Sequence, residues 1–240
     1  MTRVDGRSPS QLRPITFQPG FTRWAEGSVL TQFGNTHVLC NVTIENSLPP
    51  WLRGREKPHG WLTAEYAMLP RSTHSRSQRE QRWPKGRTQE ISRLIGRSLR
   101  MALDLSLLGE RTLTVDCDVL QADGGTRTAA VTGGWVAVVL ALQPLIETGE
   151  LPPEVLTRQI AAISVGLVDS VPLLDLAYEE DVRAEVDFNV VMAGGEQLVE
   201  VQGTAEKAPF ARTQLNDLVD LAAAGVVQLQ ALQNAVISKR

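Results

Sequence analysis

Residues 113–128 read LTVDCDVLQADGGTRT, and residues 129–142, AAVTGGWVAVVLAL, follow without a break. Thr114, Val115, Cys117, Val119 and Leu120 form a nearly continuous β-branched and apolar run, interrupted by Asp116 and Asp118. Such a run suits a strand in the interior of a sheet. Residues 129–142 are apolar on every side, which predicts a buried helix. Between them, Gly124 and Gly125 permit backbone angles closed to other residues and leave no Cβ to block a ligand. The first-turn amides of the helix have no intrahelical partner and lie at the positive end of its dipole. An oxyanion fits there, and Thr126 and Arg127 add a hydroxyl and a bidentate guanidinium. Phosphate is the anion this chemistry suits. The plainer reading is a tight connection with Thr126 or Thr128 as N-cap. The stretch lacks the Gly-Lys-Ser/Thr ending of a P-loop and the GxGxxG spacing of a dinucleotide fold.

The chain has 240 residues, 42% hydrophobic and 21% charged, as in an ordinary globular protein. Its length and the absence of an internal repeat or low-complexity linker predict a single domain over residues 1–240, of α+β or α/β class. No run of 18 apolar residues occurs, so no membrane span is expected. The first residues carry no apolar segment of the secretory kind. Cys40 and Cys117 both lie in apolar, strand-like runs, which predicts buried, reduced thiols and a cytoplasmic protein.

Outward from the central stretch, strands are expected at 13–18, 25–33, 36–44 and 61–69, with turns at Pro19-Gly20 and Gly34-Asn35. Further strands are expected at 161–168, 173–176, 184–192 and 197–202, with a turn at Gly194-Gly195. A helix is expected from Thr88 to Leu108, with Ile91, Leu94, Ile95, Leu99 and Ala102 buried. Arg93, Arg97 and Arg100 recur on another face, either solvated or turned to a partner subunit. A last helix runs from about Arg212 to Ser238, its apolar stripe packed on the sheet.

Residues 71–87 change character. Arg71, Arg76, Arg79, Arg82, Lys85 and Arg87 stand against a single acid, Glu80, in a chain whose formal charge is −3. One glutamate cannot pair so many cations. Clustered arginines in an acidic protein are the electrostatic footprint of a phosphate backbone. Trp83 either stacks on a base or anchors the loop. Arg87 immediately precedes the helix and can point at whatever the neighbouring loops bind.

Asp181 and Asp187 are six residues apart, which in one straight strand means about 20 Å at ~3.3 Å per residue. They share a site only if residues 178–183 turn, as the charges of Glu179, Glu180, Asp181 and Arg183 suggest.

Several longer motifs now stand in one order: Asp5-Gly6-Arg7, Ala25-Glu26-Gly27-Ser28-Val29-Leu30, Leu69-Pro70-Arg71-Ser72-Thr73, Gly86-Arg87-Thr88, residues 116–128, and Val201-Gln202-Gly203-Thr204-Ala205-Glu206. With these the chain resembles the ribonuclease PH family over nearly its whole length. The resemblance implies an α+β fold like domain 2 of ribosomal protein S5, a mixed β-sheet packed with long helices. It implies a phosphorolytic 3′→5′ exoribonuclease that uses inorganic phosphate as co-substrate, matures tRNA precursors and other RNA 3′ ends, and assembles as a homohexameric ring. Carried over by position, the phosphate site falls on Arg87, Gly125, Thr126 and Arg127. The paired catalytic aspartates, associated with Mg²⁺, fall on Asp181 and Asp187. The RNA-binding arginines fall on Arg71, Arg76 and Arg79. Trp83-Pro84 and Lys207 depart from the family's pattern.

This agrees with the residue chemistry, because phosphorolysis brings one anion against another and the site must neutralise both. Whether an aspartate binds metal or protonates the leaving oxygen is open at this level. Two other readings compete: a non-catalytic RNA-binding ring subunit of an exosome-like assembly, and a small-molecule phosphotransferase.

Overall fold

The computed structural model describes residues 3–54, 56, 59–80, 86–194 and 196–238. Arg82, Trp83, Pro84 and Lys85, which belong to the arginine cluster, and Gly195 of the expected turn lie outside the described residues.

Two sheets make the frame. The first contains β1 (Ile15–Pro19), β2 (Gly27–Phe33), β3 (Thr36–Glu45), β4 (Trp61–Met68) and β5 (Thr112–Gln121), in the order β1-β2-β3-β5-β4. All its pairings are antiparallel except β4 with β5. Phe33 pairs with Thr36 across the Gly34-Asn35 turn, closing the expected two-residue hairpin. The expected interior strand is β5, flanked on both sides. Its residues alternate: Leu113, Val115, Cys117 and Val119 are buried, while Asp116 and Asp118 lie on the opposite face, as a period of two requires. Cys40 and Cys117 oppose one another on β3 and β5, both free and buried.

The second sheet is antiparallel, in the order β7-β6-β8-β9. It consists of β6 (Ile160–Val168), β7 (Val171–Leu174), β8 (Val186–Ala193) and β9 (Gln197–Ala205). Strand β7 stops two residues short of the expected end because Asp175 takes a left-handed φ of 56°.

Four helices complete the chain: α1 (Gly86–Arg100), α2 (Thr126–Glu147), α3 (Tyr178–Arg183) and α4 (Arg212–Ile237). Helix α2 contacts β2 and β3 of the first sheet and β6 of the second, so it lies between them. All its residues from Thr128 to Leu142 are buried, which is why the sequence shows no polar face. By length and composition α2 could cross a membrane, but here protein surrounds it. Close approach to β2 needs Gly133, where an added Cβ would fall 1.9 Å from Thr31 Oγ1. Thr132 ties the other side: its Oγ1 donates to the Ala162 carbonyl of β6 at 3.0 Å and accepts the Ala162 amide at 2.9 Å. One core cluster runs through both sheets.

Helix α1 ends eight residues before the expected Leu108. Beyond Arg100 the chain turns, and Asp104 Oδ1 accepts the backbone amide (2.9 Å) and hydroxyl (2.6 Å) of Ser106. Side-chain bonds of this kind offer the backbone an alternative to helix. Ala102, Leu103 and Leu108 stay buried in the turns, so the apolar signal outlasts the helix.

Candidate active site

The N-terminus of α2 opens into a cavity of about 270 Å³, lined by Gly124, Gly125, Thr126, Arg127, Arg87, Asp181 and Asp187 among others. The first of these groups comes from the glycine turn. Gly124 and Gly125 have φ of 76° and 66°, the left-handed region. A Cβ on Gly124 would stand 2.6 Å from the Leu176 carbonyl, so glycine also lets this turn lie against the segment that leads into α3.

Gly125 is the N-cap, and no side chain caps the helix. The plainer alternative, in which Thr126 or Thr128 caps the helix, is not the one that forms. Thr126 Oγ1 instead shares a 2.8 Å hydrogen bond with the buried hydroxyl of Tyr66 on β4. Thr128 Oγ1 donates back to the Gly125 carbonyl at 2.9 Å. An uncapped, positively polarised helix end therefore faces the cavity.

Two guanidinium groups flank it. Arg87 is exposed at the start of α1. Arg127 is held more firmly: its Nη1 donates to Gln202 Oε1 (2.8 Å) on β9 and to Glu90 Oε1 (3.3 Å) on α1. Gln202 Nε2 in turn donates to Glu90 and to Glu200, each at 3.0 Å. Among the described residues these bonds leave Arg127 by Nη1 alone, so Nε and Nη2 remain for an anion.

Asp181 and Asp187 close the opposite wall. The expected turn is α3, which folds residues 178–183 back so that both carboxyl groups line the same cavity. Burial pushes the Asp181 carboxyl up, against the pull of Arg87 and Arg127. Burial and then the Asp181 charge push Asp187 up from 3.8 to about 6, with Arg127 opposing them. Two crowded carboxylates are a donor set a hard dication suits. No group of three or more metal-binding side chains occurs among the described residues. Mg²⁺ does not need one, because it usually takes one or two carboxylates and completes its shell with water and substrate phosphate.

Behind the cavity lies an ionic cluster that the sequence did not reveal. Arg13 Nη2 and Nε bind the two oxygens of Asp175 at 2.6 and 3.0 Å, and its Nη1 donates to the Asp123 carbonyl at 2.5 Å. Arg3 grips Glu180 through Nε (2.7 Å) and Nη2 (2.6 Å), and Arg7 Nη2 adds a contact at 3.5 Å. Burial alone would push the Glu180 carboxyl up, but Arg3 and the Ala177 amide hold it below its ordinary value. Glu180 is the neighbour of Asp181, and Asp123 the neighbour of Gly124. The cluster therefore fixes both walls of the cavity from behind. Asp5-Gly6-Arg7 was visible as a motif, and Arg7 Nε donates to Asp5 Oδ2 within it, but the acids Asp175 and Glu180 that Arg7 also meets lie 168 and 173 residues away.

Arg71, Arg76 and Arg79 are not brought into the cavity. They sit on an exposed loop whose Thr73, His74 and Ser75 do line it. Arg71 Nη1 donates to the carbonyls of Thr73 and His74, and the charge of Arg79 reaches Asp118. Tyr66, His74, Tyr178 and Gln202 also touch the site or its side chains without having been singled out.

Residues 11–144 match domain 1 of the 3′ exoribonuclease family, and residues 158–225 match its domain 2. The chain belongs to the 3′ exoribonuclease family. Curated relatives named ribonuclease PH agree: that of Cyanothece sp. is 56% identical over 99% of this chain and 98% of its own length. That of Nostoc sp. is 58% identical over 98% and 95%. Solved structures share the fold at low identity. Rice Rrp46 superposes with a TM-score of 0.78 at 18% identity, covering 98% of this chain and 99% of that one. The Archaeoglobus fulgidus exosome with RNA bound to the active site gives 0.77 at 21%, covering 95% and 91%. In this 3′ exoribonuclease, Arg87 and Arg127 come from the part matching domain 1, and Asp181 and Asp187 from the part matching domain 2.

Proposed function

We propose that this chain is a phosphorolytic 3′→5′ exoribonuclease of the ribonuclease PH type, removing nucleotides from RNA 3′ ends as nucleoside diphosphates. The observation that carries the reading is a single cavity with an uncapped helix end and two arginines on one wall and a carboxylate pair on the other. Inorganic phosphate sits on the Gly125 and Thr126 amides between Arg87 and Arg127. One of its oxygens bonds to the phosphorus of the last linkage, and the bond from that phosphorus to the 3′ oxygen breaks. The arginines offset the charge of both anions in a site partly closed to water. Asp181 and Asp187 would hold Mg²⁺, which would supply positive charge against the negative charge that develops in the reaction. Inorganic phosphate is already a nucleophile, so the reaction needs no side chain to act as one.

The residues from both matched parts form one catalytic unit, and the exposed Arg71, Arg76 and Arg79 grip RNA beyond the scissile end. Precursor tRNA is the proposed substrate. A homohexameric ring is the proposed assembly, and large apolar side chains left at the surface, among them Trp24 (84% exposed), are candidates for its subunit contacts. The cytoplasm is the proposed compartment, in keeping with two free thiols.

The test is incubation of the protein with oligo-RNA and orthophosphate, first with Mg²⁺ and then with EDTA. Nucleoside diphosphates should appear with phosphate and Mg²⁺, and vanish with EDTA. Asp181→Asn and Asp187→Asn should each remove most turnover while leaving the fold intact. A protein that binds RNA but yields no diphosphate under any of these conditions is the non-catalytic ring subunit instead.

A further inference from the structure

We propose that His74 and Tyr178 form a clamp that stacks the base of the 3′-terminal nucleotide. This rests on the phosphorolytic reading above, which places the last phosphodiester linkage in the same cavity. Both side chains line that cavity, one from the loop after β4 and the other from the first turn of α3. Their ring centroids stand 6.4 Å apart with the planes tilted by 47°. Stacked nucleic-acid bases lie ~3.4 Å apart, so a base between two parallel rings needs them roughly 7 Å apart. The observed gap is close to that, and a rotation of the exposed His74 ring would bring the planes together.

Packing gives no other use for either ring. His74 is exposed and Tyr178 is 49% exposed. Among the described residues, neither ring makes a hydrogen bond. Their backbones, in contrast, are held. The His74 carbonyl accepts from Arg71, and the Ser72 carbonyl next in the loop accepts the Ala122 amide at 2.8 Å. The Tyr178 amide donates to Asp123 Oδ1 at 3.3 Å. Two unengaged aromatic faces on fixed backbones, opening onto a phosphate site, are a stacking platform.

The position identifies the occupant. Tyr178 precedes Asp181 by three residues, so the two lie on neighbouring turns of one short helix. A nucleotide whose 5′ phosphoryl group lies at Asp181 and Asp187 can place its base no further than the rim of this cavity, where the rings stand. Every nucleobase offers a π face, so the clamp grips the end of the chain without reading its sequence. Through the Arg71 bond to the His74 carbonyl, it also joins the RNA-gripping loop to the site of chemistry.

The experiment compares a short oligo-RNA with the same oligomer carrying an abasic ribose at its 3′-terminal or penultimate position. Wild-type enzyme should show a KM at least about tenfold higher for the terminal abasic oligomer, the ~1.4 kcal/mol that one stacked base is worth. His74→Leu combined with Tyr178→Leu should raise the KM of the normal oligomer by a similar factor. It should also erase the difference between normal and terminal abasic ends. Tyr178→Phe alone, keeping an aromatic face, should recover most of the affinity lost by Tyr178→Leu. A leucine variant that still distinguishes the two ends overturns the clamp, as does one that erases only the penultimate difference. Wild-type protein that releases no nucleoside diphosphate even from the normal oligomer overturns the phosphorolytic reading itself.

Discussion

Arg3, Arg7 and Arg13 are 6%, 7% and 4% exposed, whereas Arg71, Arg76 and Arg79 stand in water. The side chain is the same, and the supply of acids differs. The first group has Asp175 and Glu180, both inside the protein, and each guanidinium is bonded at several nitrogens. The second group lies in a stretch with one acid and keeps its charge for a partner. Arg127 stands between them: its side chain is 18% exposed and, among the described residues, a single nitrogen is engaged. How much of a guanidinium remains for a ligand in this fold thus depends on how many of its donors the protein has already taken.

Removing an acid from the buried group should have the largest effect. Glu180→Ala leaves Arg3 and Arg7 buried with a lost partner, and such losses cost about 3–5 kcal/mol of stability. Chemical denaturation would measure it, and a loss below ~1 kcal/mol would dissolve the distinction between the groups. Arg127→Ala should come next, costing about 2–3 kcal/mol in phosphorolysis, the scale of a lost transition-state donor. Its unfolding midpoint should hardly move. Normal turnover by this variant at limiting phosphate would mean that the helix end and Arg87 suffice.

The carboxylate wall sharpens the contrast from the other side, since Asp187 is strained where Glu180 is satisfied. Its carboxyl lies at about 6 in the folded protein against an ordinary 3.8. Between roughly pH 4 and 6 the folded state therefore keeps a proton that the unfolded chain releases, and stability is lost as pH rises through that window. Activity should run the opposite way, falling up to tenfold per unit below about pH 6 as the ionised form disappears. Asp187→Asn should remove the share of the pH dependence that Asp187 contributes, read as the difference between the two proteins, and be no less stable than wild type at pH 7. A wild-type stability that rises relative to that of Asp187→Asn between roughly pH 4 and 6 would sink this assignment.

The smallest effect on the fold is expected from Arg71→Ala, Arg76→Ala and Arg79→Ala together, within about 0.5 kcal/mol of wild-type stability, as for most surface changes. Turnover of a very short oligonucleotide should change little. Binding of a structured tRNA precursor should weaken and its salt dependence should flatten, because fewer counterions are released. Equal losses on long and short RNA would place these arginines with Arg127 instead.

The sequence made the local chemistry legible and left the distant partnerships hidden. Strand β5, the glycine turn and α2 could be read because each is a contiguous pattern of period two, a pair of glycines and an unbroken apolar run. Asp181 and Asp187 met because four charges marked a turn between them. Helix α1 was overextended because Ala102, Leu103 and Leu108 continue the burial after the helix has stopped. The alternative of a threonine cap could not be set aside from sequence, because a threonine near a helix start carries no mark of Tyr66, which shares a hydrogen bond with the Thr126 hydroxyl. Arg3 and Arg13 had no local sign at all. Their acids lie 177 and 162 residues away, and nothing in a linear pattern separates a buried guanidinium from a solvated one.

That same separation sets the order in which the enzyme comes alive during synthesis. At ~5–20 residues per second, a ribosome needs about 9–35 s to reach Glu180 after making Arg3. Through that interval Arg3 and Arg13 lack their acids, and Arg7 has only its neighbour Asp5. The glycine turn has been made, yet Asp175 is not there to hold Arg13 beneath it, and α3 does not exist. A nascent chain therefore carries the exposed loop proposed to grip RNA long before it carries both walls of the cavity, which are complete only as synthesis nears its end.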